Sequence, residues 1–221
     1  GDIGVVFDND ETDLILHVSK CDFWKFTPGA HKDGGIKTVG SIRIKNVDLT
    51  KYNVKQYFDE GLLKCKFGNT EIEFFIAIEN LIYFEIKSNI NDASPVVSFE
   101  LPDTCNSVNS EFTENDIKCY KRSFSGKEVT KETGVVSCLK EISSLETDGF
   151  NVSRYCISVV TNFDDCDYTK KALQMLSNCN YDSNKAKTRE KWQKFFSASK
   201  VTLEDKEIEA FYNSSLYHLA G

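Results

Sequence analysis

Residues 21–24, with the sequence CDFW, place an acidic side chain and an indole ring two positions apart, directly after an alternating segment that ends at Lys20. If that segment is a strand, Asp22 and Trp24 lie at the rim of a sheet, where a Trp ring can stack on the face of a sugar. The alternative is that Trp24 is buried and anchors the adjoining loop. Residue types alone favour the buried anchor, because large aromatic side chains are mostly buried.

Side chains for nucleophilic or acid–base catalysis form no recognisable motif. His17, His31 and His218 are scattered, and neither a G-x-S-x-G elbow nor a phosphate-binding glycine loop is present. Paired carboxylates could hydrolyse a glycosidic bond, but the chain has 34 Asp and Glu, so acidic clusters are common in it. The clusters at 8–11 and 164–165 are typical of a solvated turn and a helix start. The sequence therefore assigns no catalytic residue.

The chain has eight cysteines: Cys21, Cys65, Cys105, Cys119, Cys138, Cys156, Cys166 and Cys179. No C-x-x-C pair occurs and no His lies at ligand spacing from a Cys, so no metal site is expected. Most of these thiols are expected to be small buried apolar groups, and disulfide pairing in an oxidising compartment is the alternative. Two N-x-[ST] sequons, at Asn151 and Asn213, are compatible with secretion, so the sequence leans toward a secreted or extracytoplasmic location.

Composition excludes several classes of protein. With 40% hydrophobic and 12% aromatic residues in 221 positions, the chain is typical of a globular protein with a sizeable core. The net charge of −7 disfavours nucleic acid and anionic membranes as partners, because both would repel the protein. Apolar runs are too short for a membrane-spanning helix, and nothing points to a cofactor.

From the start of the chain to about residue 161, apolar and polar residues alternate with a period of two. The clearest case is the pair of segments 71–78 and 81–87, which flank a short polar step and predict a β-hairpin. Further alternating segments lie at 13–19, 40–45, 96–101, 117–124, 134–142 and 155–161. No helical pattern interrupts them, so we expect a mainly β fold, an antiparallel β-sandwich. The stretches 26–35, 89–94 and 103–115 are expected to be loops.

After residue 161 the apolar period becomes 3.6 and predicts about three α-helices. They lie at 168–179, at 184–198 and from about 202 to the end of the chain, where Thr202 and Asp205 can supply the N-terminal cap. In the second helix, a basic face over 185–194 is expected to be solvated opposite Trp192. The period change near residue 162 is the predicted domain boundary.

Two groups of motifs resemble a known family. The segments GDIGVV at 1–6, LILHVSKCDFW at 14–24 and VGSIRI at 39–44 resemble the N-terminal β-sandwich of six-hairpin glycosidases. In that family a glycine-rich strand precedes one that ends in Ser-Lys-x-Asp-x-Trp. The segment WQKFFSASKV at 192–201, with the apolar positions of 208–219, resembles the linker helix and first barrel helix of the same enzymes. Between 45 and 155 only the strand pattern is shared.

This resemblance implies a supersandwich-like domain over 1–162, a helical linker over 163–201 and, over 202–221, the first helix of an α-helical barrel. The family hydrolyses, and in some branches phosphorolyses, glycosidic bonds with acids carried on loops of that barrel. The barrel would follow residue 221, so the catalytic acids are expected outside this chain, which would be a fragment. Asp22 and Trp24 match the shared motif and are the candidate substrate-binding residues.

The expected function is therefore that of a non-catalytic sandwich in a carbohydrate-active enzyme, with a carbohydrate substrate and the barrel of the same chain as partners. The terminal helices carry more apolar surface than they can cover among themselves. This predicts an exposed apolar face, with Phe211, Leu216 and Leu219, where the barrel would dock. The alternative is a secreted stand-alone β-sandwich that acts as a binding or adhesion domain and is held by disulfides.

Overall fold

A computed structural model describes residues 2–25, 34–104, 106–124, 132–198 and 201–220. The strands within these ranges are β1 (Ile3–Asn9), β2 (Leu14–Lys25), β3 (Gly35–Lys45), β4 (Tyr52–Tyr57), β5 (Leu62–Phe67), β6 (Thr70–Ile76), β7 (Leu81–Asn89), β8 (Val96–Glu100), β9 (Val108–Glu114), β10 (Ile117–Phe124), β11 (Thr133–Thr147) and β12 (Phe150–Thr161). The helices are α1 (Tyr168–Ser177), α2 (Tyr181–Ala198) and α3 (Lys206–Ala220).

The strands form two antiparallel sheets, with the order β1-β2-β3-β8 in the smaller and β4-β5-β6-β7-β12-β11-β10-β9 in the larger. The predicted mainly β sandwich followed by helices is therefore confirmed. The predicted hairpin is β6–β7, which pairs Ile76 with Ile82 around a turn where Asn80 has a φ of 59°. Asn tolerates this left-handed conformation better than most residues, which suits it to the turn.

The first core lies between the two sheets and consists of the inward side chains of both. Leu16, Val18 and Ile42 of the smaller sheet are fully buried here, as are Ile82 and Phe84 of the larger sheet. Burying apolar surface contributes roughly 25 cal/mol per Å². The alternation of apolar residues along β2 and β3 places one face of each strand in this core.

A second core lies on the opposite face of the larger sheet, where α1 and the start of α2 cover it. Ala172, Leu176 and Tyr181 of these helices pack on Tyr83, Val136 and other residues of the sheet. Strands covered on both faces lose the alternation of apolar and polar residues. The first seven residues of β11, from Thr133 onward, are accordingly all buried.

Two expectations for irregular segments are corrected or left open. The stretch 103–115, expected to be a loop, contains the strand β9 at the edge of the larger sheet. Nearly all of its side chains are exposed, so it lacks the apolar alternation that marks a strand with one buried face. Most of the expected loop 26–35 lies outside the described residues, whereas the expected loop at 89–94 does connect β7 with β8.

The three predicted helices are present, with corrections at two N-termini. Helix α2 begins at Tyr181, three residues before the predicted start, because the side chain of Asn180 accepts the backbone N–H of Ser183. At α3 the cap is Asp205, which accepts the backbone N–H groups of Glu207 and Ile208. None of the helices in the described ranges is both long and apolar enough to cross a membrane.

The basic face of α2 is not simply solvated, contrary to the expectation. Lys185 pairs with Glu73, Lys187 with Glu79 at 3.6 Å, and Arg189 with Glu60. All three glutamates belong to the sandwich, on the strands and turns near the edge of the larger sheet. The charges therefore attach α2 to the sandwich, on the same helix that buries Trp192 as expected.

Helix α3 is attached through one aromatic side chain and leaves much of its apolar stripe uncovered. The ring of Tyr217 stacks on Trp192, and its centroid lies 5.4 Å from that of Phe58. Phe211 is 74% exposed and Leu219 is 84% exposed. The predicted exposed apolar face is thus confirmed at these two positions, whereas Leu216 is half-buried.

Candidate functional site

An irregularity near the end of β2 positions the two candidate residues. The strand pairs regularly with β3 as far as Val18, then shifts register before Trp24 comes to lie opposite Ile36. As a result, Lys20 and Phe23 are both buried, although they are three positions apart and a regular strand would point them to opposite faces. Simple alternation would have exposed one of them. The shift turns Asp22 and Trp24 toward different surroundings.

Asp22 belongs to a charged group around a buried ammonium, which we name the Lys20 cluster: Lys20, Asp2, Asp22, Asp164 and Thr161. The Lys20 side chain is 1% exposed, and its Nζ lies 2.9 Å from Asp22 Oδ1, 3.2 Å from Asp164 and 3.8 Å from Asp2. Burial disfavours the charged form, but the hydrogen bonds from Lys20 to Asp22 and Asp164 outweigh it and raise the pKa of Lys20. The ammonium therefore stays charged.

Thr161 connects the Lys20 cluster to the larger sheet, because it is the last residue of β12. Its hydroxyl donates to Asp22 Oδ2 at 2.7 Å, and its backbone N–H donates to Asp164 Oδ2 at 2.8 Å. Asp22 thus accepts from both Lys20 and Thr161. The cluster joins the smaller sheet, the end of β12 and the segment that leads into α1.

Asp2 extends the Lys20 cluster to the turn between β6 and β7. Its carboxylate accepts hydrogen bonds from the Cys21 thiol at 3.2 Å and from Asn80 Nδ2 at 2.7 Å. The hydrogen bond from Cys21 is the main cause of the lowered pKa of Asp2. Asp2 therefore remains ionised well into the acidic range, as expected of a carboxylate that fixes its neighbours in place.

Trp24 has a different environment from Asp22. Its indole N–H donates to the backbone oxygen of Cys21, and 49% of the residue is exposed. The expectation that Trp24 is a buried anchor is therefore wrong. Ile36, directly across the strand pair, is also exposed, so the two side chains form an apolar patch at the rim of the smaller sheet.

Next to this patch lies a cleft of about 650 Å³ between the sandwich and the helices α2 and α3, which we name the interlayer cleft. Ile36 lines it as well as standing opposite Trp24, so the exposed patch borders the cleft. The walls of the interlayer cleft include Lys20, Gln56, Leu63, Thr188, Trp192 and Tyr217. A cleft with an apolar lining and a few polar groups is typical of small-molecule sites.

Two side chains of the interlayer cleft bear on ligand binding. Thr188 is 1% exposed, and its hydroxyl has no hydrogen-bond partner among the described residues. Such an orphaned buried hydroxyl is unfavourable by about 1–3 kcal/mol unless a water or ligand satisfies it. Trp192, by contrast, is stacked on Tyr217 and is not free to stack on a ligand.

Sequence reasoning located the rim but missed the centre of the site. Sequence reasoning made no prediction for Lys20, although a signal was present: Lys20 continues the alternating series of Leu14, Leu16 and Val18, and a charge buried there needs acidic partners. Thr188 had no comparable signal, because α2 is polar along most of its length. Within the described residues, no cluster of three or more His, Cys, Asp or Glu could hold a metal ion.

Comparisons with known proteins add no family assignment. No protein-family model matches the chain, and a search of curated proteins gives no match.

Proposed function

We propose that this chain is the non-catalytic N-terminal sandwich of a carbohydrate-active enzyme that cleaves glycosidic bonds, and that it packs against an α-helical catalytic barrel. The observation that carries the proposal is the exposed apolar stripe on α3. Ile208, Phe211 and Leu219 are each more than half exposed on one short helix, although Tyr217 fixes the helix to the sandwich. A fixed helix with an uncovered apolar face is suited to receive another helical layer.

The rim of the smaller sheet supports the same proposal. Trp24 presents an exposed ring beside the interlayer cleft, and the Lys20 cluster holds the backbone around it. In the proposed enzyme Trp24 contacts the sugar, whereas Asp22 positions the strand end through Lys20 and Thr161. The motif shared with six-hairpin glycosidases contains both residues, which links the sequence resemblance to this part of the fold.

Sequencing the transcript beyond the codon for residue 221 tests the proposal directly. A reading frame that continues through a series of helical hairpins is the expected result, and a stop codon at this point would overturn it. In the longer protein, Phe211→Ser should lower both glycoside hydrolysis and the stability of the barrel. Leu145→Ser is the matched control, because Leu145 is equally apolar and 64% exposed but lies on β11.

A stand-alone binding domain is the second candidate, and the orphaned hydroxyl of Thr188 in the interlayer cleft favours it. In that case the chain alone would bind a sugar, which isothermal titration with α- and β-linked glucose disaccharides can measure. Binding that Thr188→Val abolishes would support this candidate. Absence of binding by the chain, combined with a barrel in the longer reading frame, would support the first.

A further inference from the structure

Cys119 and Cys138 occupy directly opposed positions on neighbouring strands of the larger sheet. The register of β10 and β11 pairs them with one another, and both are completely buried. They belong to the second core, on the face that α1 covers. Their sulfur atoms are 2.7 Å apart, and both residues are present as free thiols.

The register places the two cysteines close to the geometry that a disulfide needs. Directly opposed residues of antiparallel strands have Cβ atoms about 4.5–5.5 Å apart, against about 3.5–4.5 Å in disulfides. A small approach of two strands therefore suffices, without a change of register. The side chains have in addition turned toward each other, since their sulfur atoms are only 2.7 Å apart.

We propose that Cys119 and Cys138 form a cross-strand disulfide when the chain folds in contact with a small-molecule disulfide. The inference is independent of the proposed function, because it rests on the packing of β10, β11 and α1. It assigns a modification site to the second core, in which Cys119 and Cys138 form a covalent link as well as packing as buried apolar groups.

The reaction is two successive thiol–disulfide exchanges. The Cys119 thiolate attacks one sulfur of the small disulfide, which forms a mixed disulfide and releases one small thiolate. The Cys138 thiolate then attacks the Cys119 sulfur, which forms the protein disulfide and releases the second small thiolate. The protein loses two electrons and two protons, and the small disulfide gains the electrons.

Burial determines when the bond can form. Because both thiols are completely buried in the second core, to which α1 contributes Ala172 and Leu176, a small disulfide reaches them only before α1 docks or when it opens. The native protein with reduced thiols should therefore react slowly, and the folding chain should react fast. Once formed, the bond is protected from external reductants by the same layer.

Two other cysteine environments provide the comparison. Cys156 and Cys179 both belong to the second core, and the hydrogen bond from Cys156 lowers the pKa of Cys179 to about 6. Cys65 lies in the first core, between the sheets, where burial raises the pKa of its thiol to about 12. Cys65 is therefore the matched control: a fully enclosed thiol of the same sheet that is not opposed to another thiol in the register, since its partners are Val54 and Ile72.

The test is refolding of the whole chain in a mixture of reduced and oxidised glutathione, followed by denaturation, alkylation of free thiols and peptide mapping by mass spectrometry. The expected result is a peptide pair joined through Cys119 and Cys138, with Cys65 fully alkylated. Refolding of Cys119→Ser should lose that pair and leave Cys138 alkylated, whereas Cys65→Ala should retain it. Native protein purified fully reduced should show at least a tenfold slower appearance of the pair.

Two results would overturn the proposal. One is a refolded protein, native by circular dichroism, in which both Cys119 and Cys138 are alkylated. The other is a map in which either of them is joined to a different cysteine instead. Both results are read from the peptide map of the unaltered chain, so the test does not depend on whether Cys119→Ser folds.

Discussion

The indole ring of Trp192 stacks on the phenol ring of Tyr217, with centroids 4.5 Å apart and planes inclined by 27°. One residue belongs to α2 and the other to α3, so this contact fixes the position of the last helix. The edge of the indole lies against Gly61 and occupies the space that a Cβ at this position would need. The position of the exposed stripe on α3 therefore depends on a glycine in the turn between β4 and β5.

Replacement of Gly61 by Ala should destabilise the protein and displace Trp192. A Cβ at this position would lie 2.1 Å from Trp192 Cδ1, and the φ of +63° also disfavours a side chain. We expect a loss of about 2–4 kcal/mol in urea unfolding, from overpacking and backbone strain together. Gly149→Ala is the control, because Gly149 has a φ of +80° with open space around it. It should lose only about 1 kcal/mol, and equal losses in the two variants would contradict the clash.

Replacement of Lys20 by Met should destabilise the protein by leaving the carboxylates of the Lys20 cluster without their cation. Removing one partner of a fully buried ion pair costs about 3–5 kcal/mol. We expect about 2–3 kcal/mol here, because Asp2, Asp22 and Asp164 retain partial access to water. Chemical unfolding measures the loss, and Lys45→Met at the exposed end of β3 is the control. A change of less than about 0.5 kcal/mol in Lys20→Met would exclude a stabilising role of the cluster.

The attachment of α2 should weaken in acid through Glu73. Burial raises the pKa of this carboxyl, but the hydrogen bonds from Lys185 and Tyr181 outweigh it, and the net pKa is lowered. A carboxyl with a lowered pKa in the folded state stabilises the protein above its unfolded pKa near 4.5, and loses that contribution as the pH falls through the folded pKa. Unfolding of the unaltered chain should therefore become easier below about pH 4.5.

The matched variant for this pH dependence is Glu73→Gln, which keeps the shape of the side chain. It should be less stable than the unaltered chain at pH 7, and its stability should fall less steeply between pH 5 and pH 3. Glu71→Gln, two positions earlier on the same face of β6 but exposed, should retain the slope of the unaltered chain. If Glu73→Gln also retained that slope, the acid sensitivity would have to come from other carboxylates.

Trp24→Ala distinguishes a ligand-binding ring from a structural one. Because half of the residue is exposed, the chain should still fold, with a loss of about 1–2 kcal/mol from the buried half of the side chain. In the proposed longer enzyme, the loss of ring stacking should weaken substrate binding about threefold to tenfold, seen as a raised KM. Soluble protein with unchanged KM would remove Trp24 from the site. Loss of soluble protein would instead assign it a structural role.

The sequence predicted the elements inside the sheets better than those at the edges. The hairpin β6–β7 was found because apolar residues that face the first core recur at every second position of both strands. Strand β9 was missed because it lies at an edge with nearly every side chain exposed. The basic residues of α2 were expected to face water, since their glutamate partners are more than 100 residues away in the chain.

The candidate site was also predicted only in part from the sequence. The motif at 21–24 located the rim from sequence, because Asp22 and Trp24 lie two positions apart on one strand. Their separate environments follow from the register shift after Val18 and from Thr161, which is 139 residues from Asp22 in sequence. Burial of Trp24 was judged from its residue type, and type does not specify which face of an irregular strand is covered.

By itself the sequence determined a β-sandwich followed by three helices, because periods of two and 3.6 are local properties of the chain. Only the tertiary structure decided which sheet each strand joins, which thiols face each other and which apolar face stays uncovered. Those outcomes depend on contacts between segments distant in sequence, such as β10 with β11 and Trp192 with Tyr217. Local patterns encode that a face is apolar, whereas packing determines what covers it.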